Sequence, residues 1–94
     1  MNSIFIDAKE WFDKVNGNSY FSARIEINGE EIARLPFQYG YETFYQQVAL
    51  AYLIENGLVD LDTRSLWNLK EKGVPIYTTK TKALLRDVKA WGRA

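Results

Sequence analysis

The chain of 94 residues contains no cysteine and no histidine. Without cysteine it forms no disulfide, offers no thiolate nucleophile and supplies no cysteine ligand for zinc. Without histidine it lacks the side chain that most often acts as a general base or binds a metal near neutral pH. No apolar run approaches the roughly 18 residues that a transmembrane helix needs. We therefore expect no membrane span, no cofactor, and a reducing compartment.

Apolar residues are not scarce: they make up 47% of the chain, and aromatic residues make up 15%. This composition predicts one domain over residues 1–94 with its own hydrophobic core. The net charge is zero, but residues 1–62 carry ten acidic and four basic side chains, whereas residues 63–94 carry two acidic and eight basic ones. Either the two parts neutralise each other within the fold, or they leave charged surfaces for a partner.

Residues 3–38 have the alternating pattern of three antiparallel strands, with Asn-Gly pairs at 16–17 and 28–29. Asn-Gly between alternating apolar runs is the strongest short-range signal for a hairpin. The apolar side chains of the second strand fall on one face of the predicted sheet. The apolar side chains of the third strand, which include Ala33, Leu35 and Phe37, also share a face.

The loop at the second Asn-Gly pair decides whether these two faces coincide. A two-residue loop would set Ala23 against Arg34 and scatter the apolar residues over both faces, because a one-residue slip turns every side chain over. A three-residue loop that includes Ile27 would place Leu35 on the apolar face. We therefore predict the three-residue loop, with Gly29 in the left-handed position of a bulge.

The opposite face of the predicted sheet mixes aromatic, basic and acidic side chains. It is either a second buried face or a recognition surface. Its members are Phe5, Asp7, Lys9, Trp11, Tyr20, Arg24, Glu26, Ile32 and Arg34. On the apolar face Glu10 is a misfit, and we expect it to form a salt bridge or to lie at the end of the sheet. Pro36 has no N–H, which predicts that the third strand is an edge strand.

A main helix is predicted over residues 41–56, after a break at Gly40. It is apolar around much of its circumference, which predicts cover on two sides. The stripe that we expect to face the core consists of Phe44, Val48, Ala51 and Tyr52. Gly57 followed by Leu58 predicts a Schellman motif at its end. Shorter helices are predicted over residues 63–72 and 82–92, with an extended stretch at 76–79.

The fold class that follows is α+β. We predict a three-stranded antiparallel meander, a main helix packed on one of its faces, and two shorter C-terminal helices.

Residues 37–45 include five aromatic side chains. They either fill the core where a strand meets a helix or form an exposed rim, for which tyrosine is suited because it supplies contact area at low entropic cost. Together with the mixed face of the sheet, this run provides the residues predicted to bind a partner protein. They are Trp11, Tyr20, Arg24, Arg34, Tyr39 and Tyr41.

The C-terminal third supplies a second candidate surface. Nucleic-acid binding needs clustered cations, often with aromatic rings on which bases stack. The residues that fit this description are Lys80, Lys82, Arg86, Lys89, Trp91 and Arg93. The zero net charge weighs against this alternative.

No catalytic residue and no metal ligand is predicted. Asp60 and Asp62 resemble the start of a calcium loop, but the sixth position of such a loop needs glycine, and Ser65 stands there. Helix capping explains these aspartates better. The remaining acids, the Glu30-Glu31 pair and Glu10, lack a histidine with which to share acid–base work. We therefore expect that the protein is not an enzyme.

Two stretches resemble small proteins of phage and prophage genomes. They are Trp-Phe-Asp-Lys-Val-Asn-Gly-Asn-Ser-Tyr-Phe-Ser-Ala-Arg-Ile at residues 11–25 and Leu-Pro-Phe-Gln-Tyr-Gly-Tyr at residues 35–41. The resemblance implies a phage-type accessory protein in the cytoplasm of a bacterial host. Such proteins often bind a host component, including defence machinery.

The function that we infer from these observations is non-catalytic binding of a host macromolecule. One specific hypothesis is that the protein inhibits a bacterial defence or nuclease complex, in the manner of an anti-CRISPR protein. A protein of the host cell is the expected partner, and a second copy of the chain remains open as another. The alternative is a small nucleic-acid-binding module that uses the C-terminal basic cluster.

Overall fold

The computed structural model describes residues 3–93, and within them the chain forms four strands and three helices. In chain order these are β1 (Ile4–Asp13), β2 (Asn18–Ile27), β3 (Glu30–Tyr39), α1 (Phe44–Glu55), α2 (Leu66–Glu71), β4 (Ile76–Lys82) and α3 (Leu85–Trp91). The strands form one sheet in the order β3-β2-β1-β4. The α+β class and the antiparallel meander of β1 to β3 are thereby confirmed.

The fourth strand is a correction to the predicted three-stranded sheet. β4 runs parallel to β1, with Ile76 opposite Ile4 and Lys80 opposite Ala8. The extended stretch predicted at residues 76–79 therefore continues to Lys82, and α3 begins three residues later than predicted. The sequence of β4 is rich in threonine and lysine and did not indicate a full strand. An edge strand that is exposed to water does not need alternating apolar residues.

The turn between β2 and β3 contradicts the predicted three-residue loop. Ile27 pairs with Glu30, so Asn28 and Gly29 alone form the turn. Their φ angles are 54° and 81°. Positive φ at both central residues defines a type I′ turn, whose backbone twist matches that of the flanking strands, and this is why Asn-Gly favours it.

The β2–β3 ladder contains two bulges, and the first restores the apolar register that the turn alone would lose. The first makes Ile32 an extra residue of β3, and beyond it Ala23 pairs with Leu35. The second lies at the proline that follows Leu35, where the missing N–H cannot join the ladder. It turns Phe37, predicted on the apolar face, to the other face, where its ring stacks on that of Tyr20 at a centroid distance of 5.2 Å.

One face of the sheet, which we call the core face, carries the hydrophobic core. Apolar side chains from all four strands are buried there together with side chains of α1 and α2. The strand residues are Ile4, Ile6, Ala8, Phe21, Ala23, Ile25, Leu35 and Ile76, and the helix residues are Tyr45, Ala49, Leu50, Leu53, Leu66 and Leu69. Phe21 and Leu35 are only 2% and 5% exposed. The predicted segregation of apolar residues to one face is therefore observed.

The buried side of α1 differs from the predicted stripe. Phe44 and Ala51 are exposed, whereas Tyr45 and Ala49 are buried. A helix with apolar residues on most of its circumference gives no periodic signal for one face. The predicted Schellman motif is present, because the N–H of Leu58 donates to the carbonyl of Leu53 at 2.9 Å.

α3 contacts the opposite face of the sheet, which we call the α3 face. Val88 is fully buried, and its carbonyl accepts a hydrogen bond from the Ser22 hydroxyl. The residue after α3 is Gly92, where an added Cβ would lie 2.6 Å from the carbonyl oxygen of Leu35 and 2.8 Å from Cβ of Ser22. The end of α3 therefore approaches the sheet so closely that only glycine fits.

Trp91 completes the cover on the α3 face. Its indole N–H donates to the carbonyl of Asp7 at 2.9 Å, and the Arg24 guanidinium lies 3.6 Å from the ring centroid. The sequence left open whether the mixed face is a second buried face or a recognition surface. Around Trp91 and Arg24, that face is partly buried by α3. None of the helices within residues 3–93 combines the length and apolarity needed to cross a bilayer.

Candidate functional site

A continuous row of aromatic rings runs across one end of the α3 face. Trp11 and Tyr20 pair across β1 and β2, and their rings stack at a centroid distance of 5.8 Å. Tyr20 pairs on its other side with Tyr39, whose ring meets it edge-on at 5.9 Å. Tyr39 in turn meets Tyr41 edge-on at 6.4 Å. These four residues and Phe37, which stacks on Tyr20, are called the aromatic row below.

The β1–β2 turn fixes the register that brings Trp11 opposite Tyr20. The Asp13 carboxylate accepts hydrogen bonds from the backbone N–H of Val15 at 3.0 Å and from the side-chain amide of Asn16 at 2.8 Å. These bonds close the four-residue turn between the strands. The bond from the Asn16 side chain is the main reason why the pKa of the Asp13 carboxyl lies below its ordinary value, and backbone N–H groups add to it.

The two ends of the aromatic row differ in exposure. Trp11, Tyr20 and Phe37 are half-buried. Tyr39 and Tyr41 are 55% and 57% exposed. Rings that are fixed by strand pairing yet open to water are typical of protein interfaces, in which tryptophan and tyrosine contribute most of the binding energy.

A pocket of about 390 Å³ lies beside the exposed end of the row, between β3 and α1. Its lining includes Tyr39, Tyr41, Glu42 and Phe44. The chain bends into it at Gly40, where an added Cβ would lie 2.6 Å from ring carbons of both Phe21 and Phe44. Glu42 has a φ of 54°, in the left-handed region that non-glycine residues rarely occupy.

The two arginines predicted with the row do not join it. Arg24 donates from Nε to the carbonyl of Trp91 at 3.1 Å. Arg34 donates from Nε to the Glu31 carboxylate at 2.8 Å and from Nη1 to the carbonyl of Arg93. Both guanidinium groups therefore hold the C-terminal segment against the sheet. Four of the six predicted partner-binding residues, Trp11, Tyr20, Tyr39 and Tyr41, lie in the row.

The residues of the predicted nucleic-acid surface lie in different surroundings. Lys80 forms an ion pair with Glu10 at 3.1 Å, on the core side of the sheet. Trp91 lies against the sheet beneath Arg24. Lys89 lies with Nζ 5.5 Å from the ring centroid of Phe37.

The remaining three members of that set, Lys82, Arg86 and Arg93, are exposed. Arg86 has the Asp87 carboxylate beside it at 3.7 Å. Lys82 and Trp91 line one pocket on the α3 face together with Lys9 and Arg24, whereas Lys80 lies on the core side, so the predicted set is divided between the two faces of the sheet.

Two of the acids that the sequence singled out form ion pairs with basic side chains. Glu10 has Lys80 as its partner, which is the predicted salt bridge, and Glu31 lies between Arg24 and Arg34. Within residues 3–93, no group of three or more acidic side chains is close enough to hold a metal ion. These acids stabilise the fold and do not converge on a cavity.

Three further residues belong to this surface although the sequence pattern did not indicate it: Phe37, Phe44 and Glu42. Phe37 was placed on the wrong face because the bulge beside it was not anticipated. The proline before it was the available signal, since proline in a strand favours a bulge or an edge. Glu42 gave no signal, because glutamate has no preference for positive φ.

Comparisons with family models, curated proteins and solved structures find no match to this chain.

Proposed function

We propose that this protein is a non-catalytic binding protein that uses the aromatic row to occupy a surface of a partner protein. The observation that carries the proposal is the continuity of the row. Its five rings contact one another without a gap, from Trp11 to Tyr41. Truncation of such rings removes most of the affinity in many interfaces.

The rings are also ordered before binding. Trp11, Tyr20 and Tyr39 stand opposite one another on three paired strands, so the strand register holds them in place. Fixing side chains at an interface usually costs about 0.5–1.5 kcal/mol for each flexible side chain. A row that is held by its own backbone avoids much of this cost.

We further propose that the partner is a macromolecule of a bacterial host and that the protein is a phage-type accessory protein acting in the host cytoplasm. Support comes from the two stretches that resemble phage proteins. Residues 11–25 contain Trp11 and Tyr20, and residues 35–41 contain Phe37, Tyr39 and Tyr41. The whole row thus lies in the stretches that carry the resemblance. Inhibition of a defence or nuclease complex, as by an anti-CRISPR protein, is the specific form of this proposal.

The test is site-specific photo-crosslinking in a bacterial host lysate. A benzophenone side chain replaces Tyr41 in one variant and Trp67, an exposed tryptophan on α2, in the matched control. The expected result is one crosslinked host protein from position 41 and none from position 67. The purified partner should then bind the Tyr39→Ala/Tyr41→Ala variant at least about tenfold more weakly, which corresponds to about 1.4 kcal/mol. Equal binding by that variant would contradict the proposal.

Nucleic-acid binding is a second candidate, favoured by the position of Lys89 over Phe37. Cations beside aromatic rings suit a single strand whose bases stack. Fluorescence anisotropy with single-stranded and duplex oligonucleotides tests it. This function predicts binding that weakens steeply with salt and that is reduced in the Lys82→Gln/Arg86→Gln variant. No binding at low salt would exclude it.

A further inference from the structure

We propose that the pocket beside Tyr39 and Tyr41 receives a basic side chain, lysine or arginine, of the partner protein. This inference rests on the proposed function and adds the chemistry that the exposed end of the aromatic row recognises. The cation would lie between aromatic rings and the carboxylate of Glu42.

The walls of the pocket suit a cation. Tyr39 and Tyr41 stand at 66° to each other with their centroids 6.4 Å apart, so their rings form two sides of a corner. Phe44, 42% exposed, adds a third ring to the lining. The face of an aromatic ring is electron-rich, and a cation within about 6 Å of its centroid is attracted to it.

Glu42 distinguishes this pocket from a purely apolar one. Glu42 lines the pocket and is exposed, and within residues 3–93 no basic side chain forms an ion pair with its carboxylate. An apolar side chain of a partner would bury this carboxylate without compensation, which costs free energy. A lysine or arginine would instead complete an ion pair.

The nearby Lys80 does not form an ion pair with the Glu42 carboxylate. Its Nζ donates to the backbone carbonyl of Glu42 at 2.7 Å and pairs with the Glu10 carboxylate at 3.1 Å. Lys80 therefore supports the backbone of residue 42 while its charge is balanced by Glu10. The carboxylate of Glu42 remains available.

The backbone at Glu42 is a separate indication that this position serves binding. Its φ of 54° is unfavourable for a side chain with a Cβ, and glycine would fit there at lower cost. Backbone strain of this kind is concentrated at binding and catalytic sites.

The test uses short capped peptides as probes. Isotopically labelled protein is titrated with Ac-Gly-Arg-Gly-NH2, with Ac-Gly-Lys-Gly-NH2, and with the citrulline analogue, which keeps the shape of arginine and lacks its charge. The expected result is saturable chemical-shift changes at Tyr39, Tyr41, Glu42 and Phe44 with the two basic peptides, in the millimolar range. The citrulline peptide should give no saturable change. Equal shifts with citrulline, or shifts confined to other residues, would overturn the proposal.

Two variants separate the carboxylate from general effects on the fold. Glu42→Gln keeps the size of the side chain and should weaken binding of the arginine peptide about two- to fivefold, as expected for the loss of one exposed ion pair. Glu55→Gln, an exposed glutamate at the end of α1, is the matched control and should bind like the parent protein. Equal affinities of the two variants would contradict the role of Glu42.

Failure of this inference about the pocket can be distinguished from failure of the proposed function. If basic peptides bind this pocket but position 41 captures no host protein, the pocket chemistry stands and the proposed function fails. If a host protein is captured and binds the Glu42→Gln variant as tightly as the parent protein, the proposed function stands and this inference fails.

Discussion

The two faces of the sheet are covered by different kinds of contact. On the core face, α1 and α2 bury apolar side chains against strand residues such as Ile6 and Phe21. On the α3 face, Val88 is the buried residue of the helix, and side chains of the strands donate hydrogen bonds to backbone carbonyls at its C-terminal end. Apolar burial is non-directional, whereas hydrogen bonds need particular groups at particular places. The core face therefore provides most of the stability, and the α3 face determines where α3 sits.

The largest expected effect lies on the core face. Leu53 of α1 is fully buried, so Leu53→Ala should lower the free energy of unfolding by about 2–5 kcal/mol through lost burial and the cavity that remains. Urea denaturation followed by circular dichroism measures the change. Leu61→Ala, at a residue that is 85% exposed, is the control and should change it by less than about 0.5 kcal/mol. Similar losses in both variants would mean that α1 does not seal the core.

The next effect concerns the close approach of α3 to the sheet. Gly92→Ala places a Cβ 2.6 Å from the carbonyl oxygen of Leu35, so α3 must shift. We expect a loss of about 1–3 kcal/mol, typical of overpacking. The indole N–H of Trp91, which is bonded to the carbonyl of Asp7, should also exchange faster with solvent. Ala90→Ser, at an exposed position of α3, is the control. Unchanged indole exchange in the Gly92 variant would contradict this close contact.

A smaller effect is expected from one polar contact on the α3 face. Ser22→Ala removes the donor to the carbonyl of Val88 and should cost about 1 kcal/mol. Ser19→Ala, a half-buried serine on the same strand, serves as the comparison and should cost less. Chemical denaturation measures both variants. If the Ser22 variant were as stable as the parent protein, hydrogen bonds would not be what holds α3.

The smallest expected effect on stability is in the β1–β2 turn, which no helix within residues 3–93 covers on either face of the sheet. Asn16→Ala removes the main cause of the lowered pKa of Asp13, so this pKa should rise toward its ordinary value. A lowered carboxyl pKa stabilises the fold above the pKa of the unfolded chain, and the contribution is lost as the pH falls through the folded pKa. The variant should therefore lose less stability than the parent protein when the pH falls below about 4.

Carbon-13 NMR titration of the Asp13 carboxyl measures this pKa directly. Asn56→Ala is the control, because the Asn56 side chain bonds to the carbonyl of Tyr52 in α1 and not to the turn. An unchanged Asp13 titration in the Asn16 variant would show that the backbone N–H groups alone set the pKa.

The core face was predictable because it follows from local alternation. Ile6 and Ala8 alternate with Asp7 and Lys9, and Phe21 and Ala23 alternate with polar residues as well, which fixes the apolar side of β1 and β2 from the sequence alone. The bulges of β3 were not predictable, since an extra residue leaves only a weak trace in composition. β4 was missed as a member of the sheet because parallel pairing joins residues far apart in the chain and its edge position removes the apolar pattern.

The candidate site was predictable by residue type but not by arrangement. Trp11, Tyr20 and Tyr39 are predicted from the sequence as partner-binding aromatics, yet the contact of Tyr20 with Tyr39 depends on a β2–β3 register that includes two bulges. Arg24 and Arg34 were assigned to the same surface because the position of α3 cannot be derived from local periodicity. The predicted roles of these residues in binding remain predictions.

The central position of β1 has a consequence for synthesis of the protein on the ribosome. Its neighbour β2 follows after a short turn, but its other neighbour, β4, begins at Ile76, long after β1 ends at Asp13. Until that segment emerges, one side of β1 presents unsatisfied N–H and C=O groups on which strands of other nascent chains can assemble. Pairing with β4 covers this side of β1, so β1 is protected from such assembly only after residue 82 has left the ribosome.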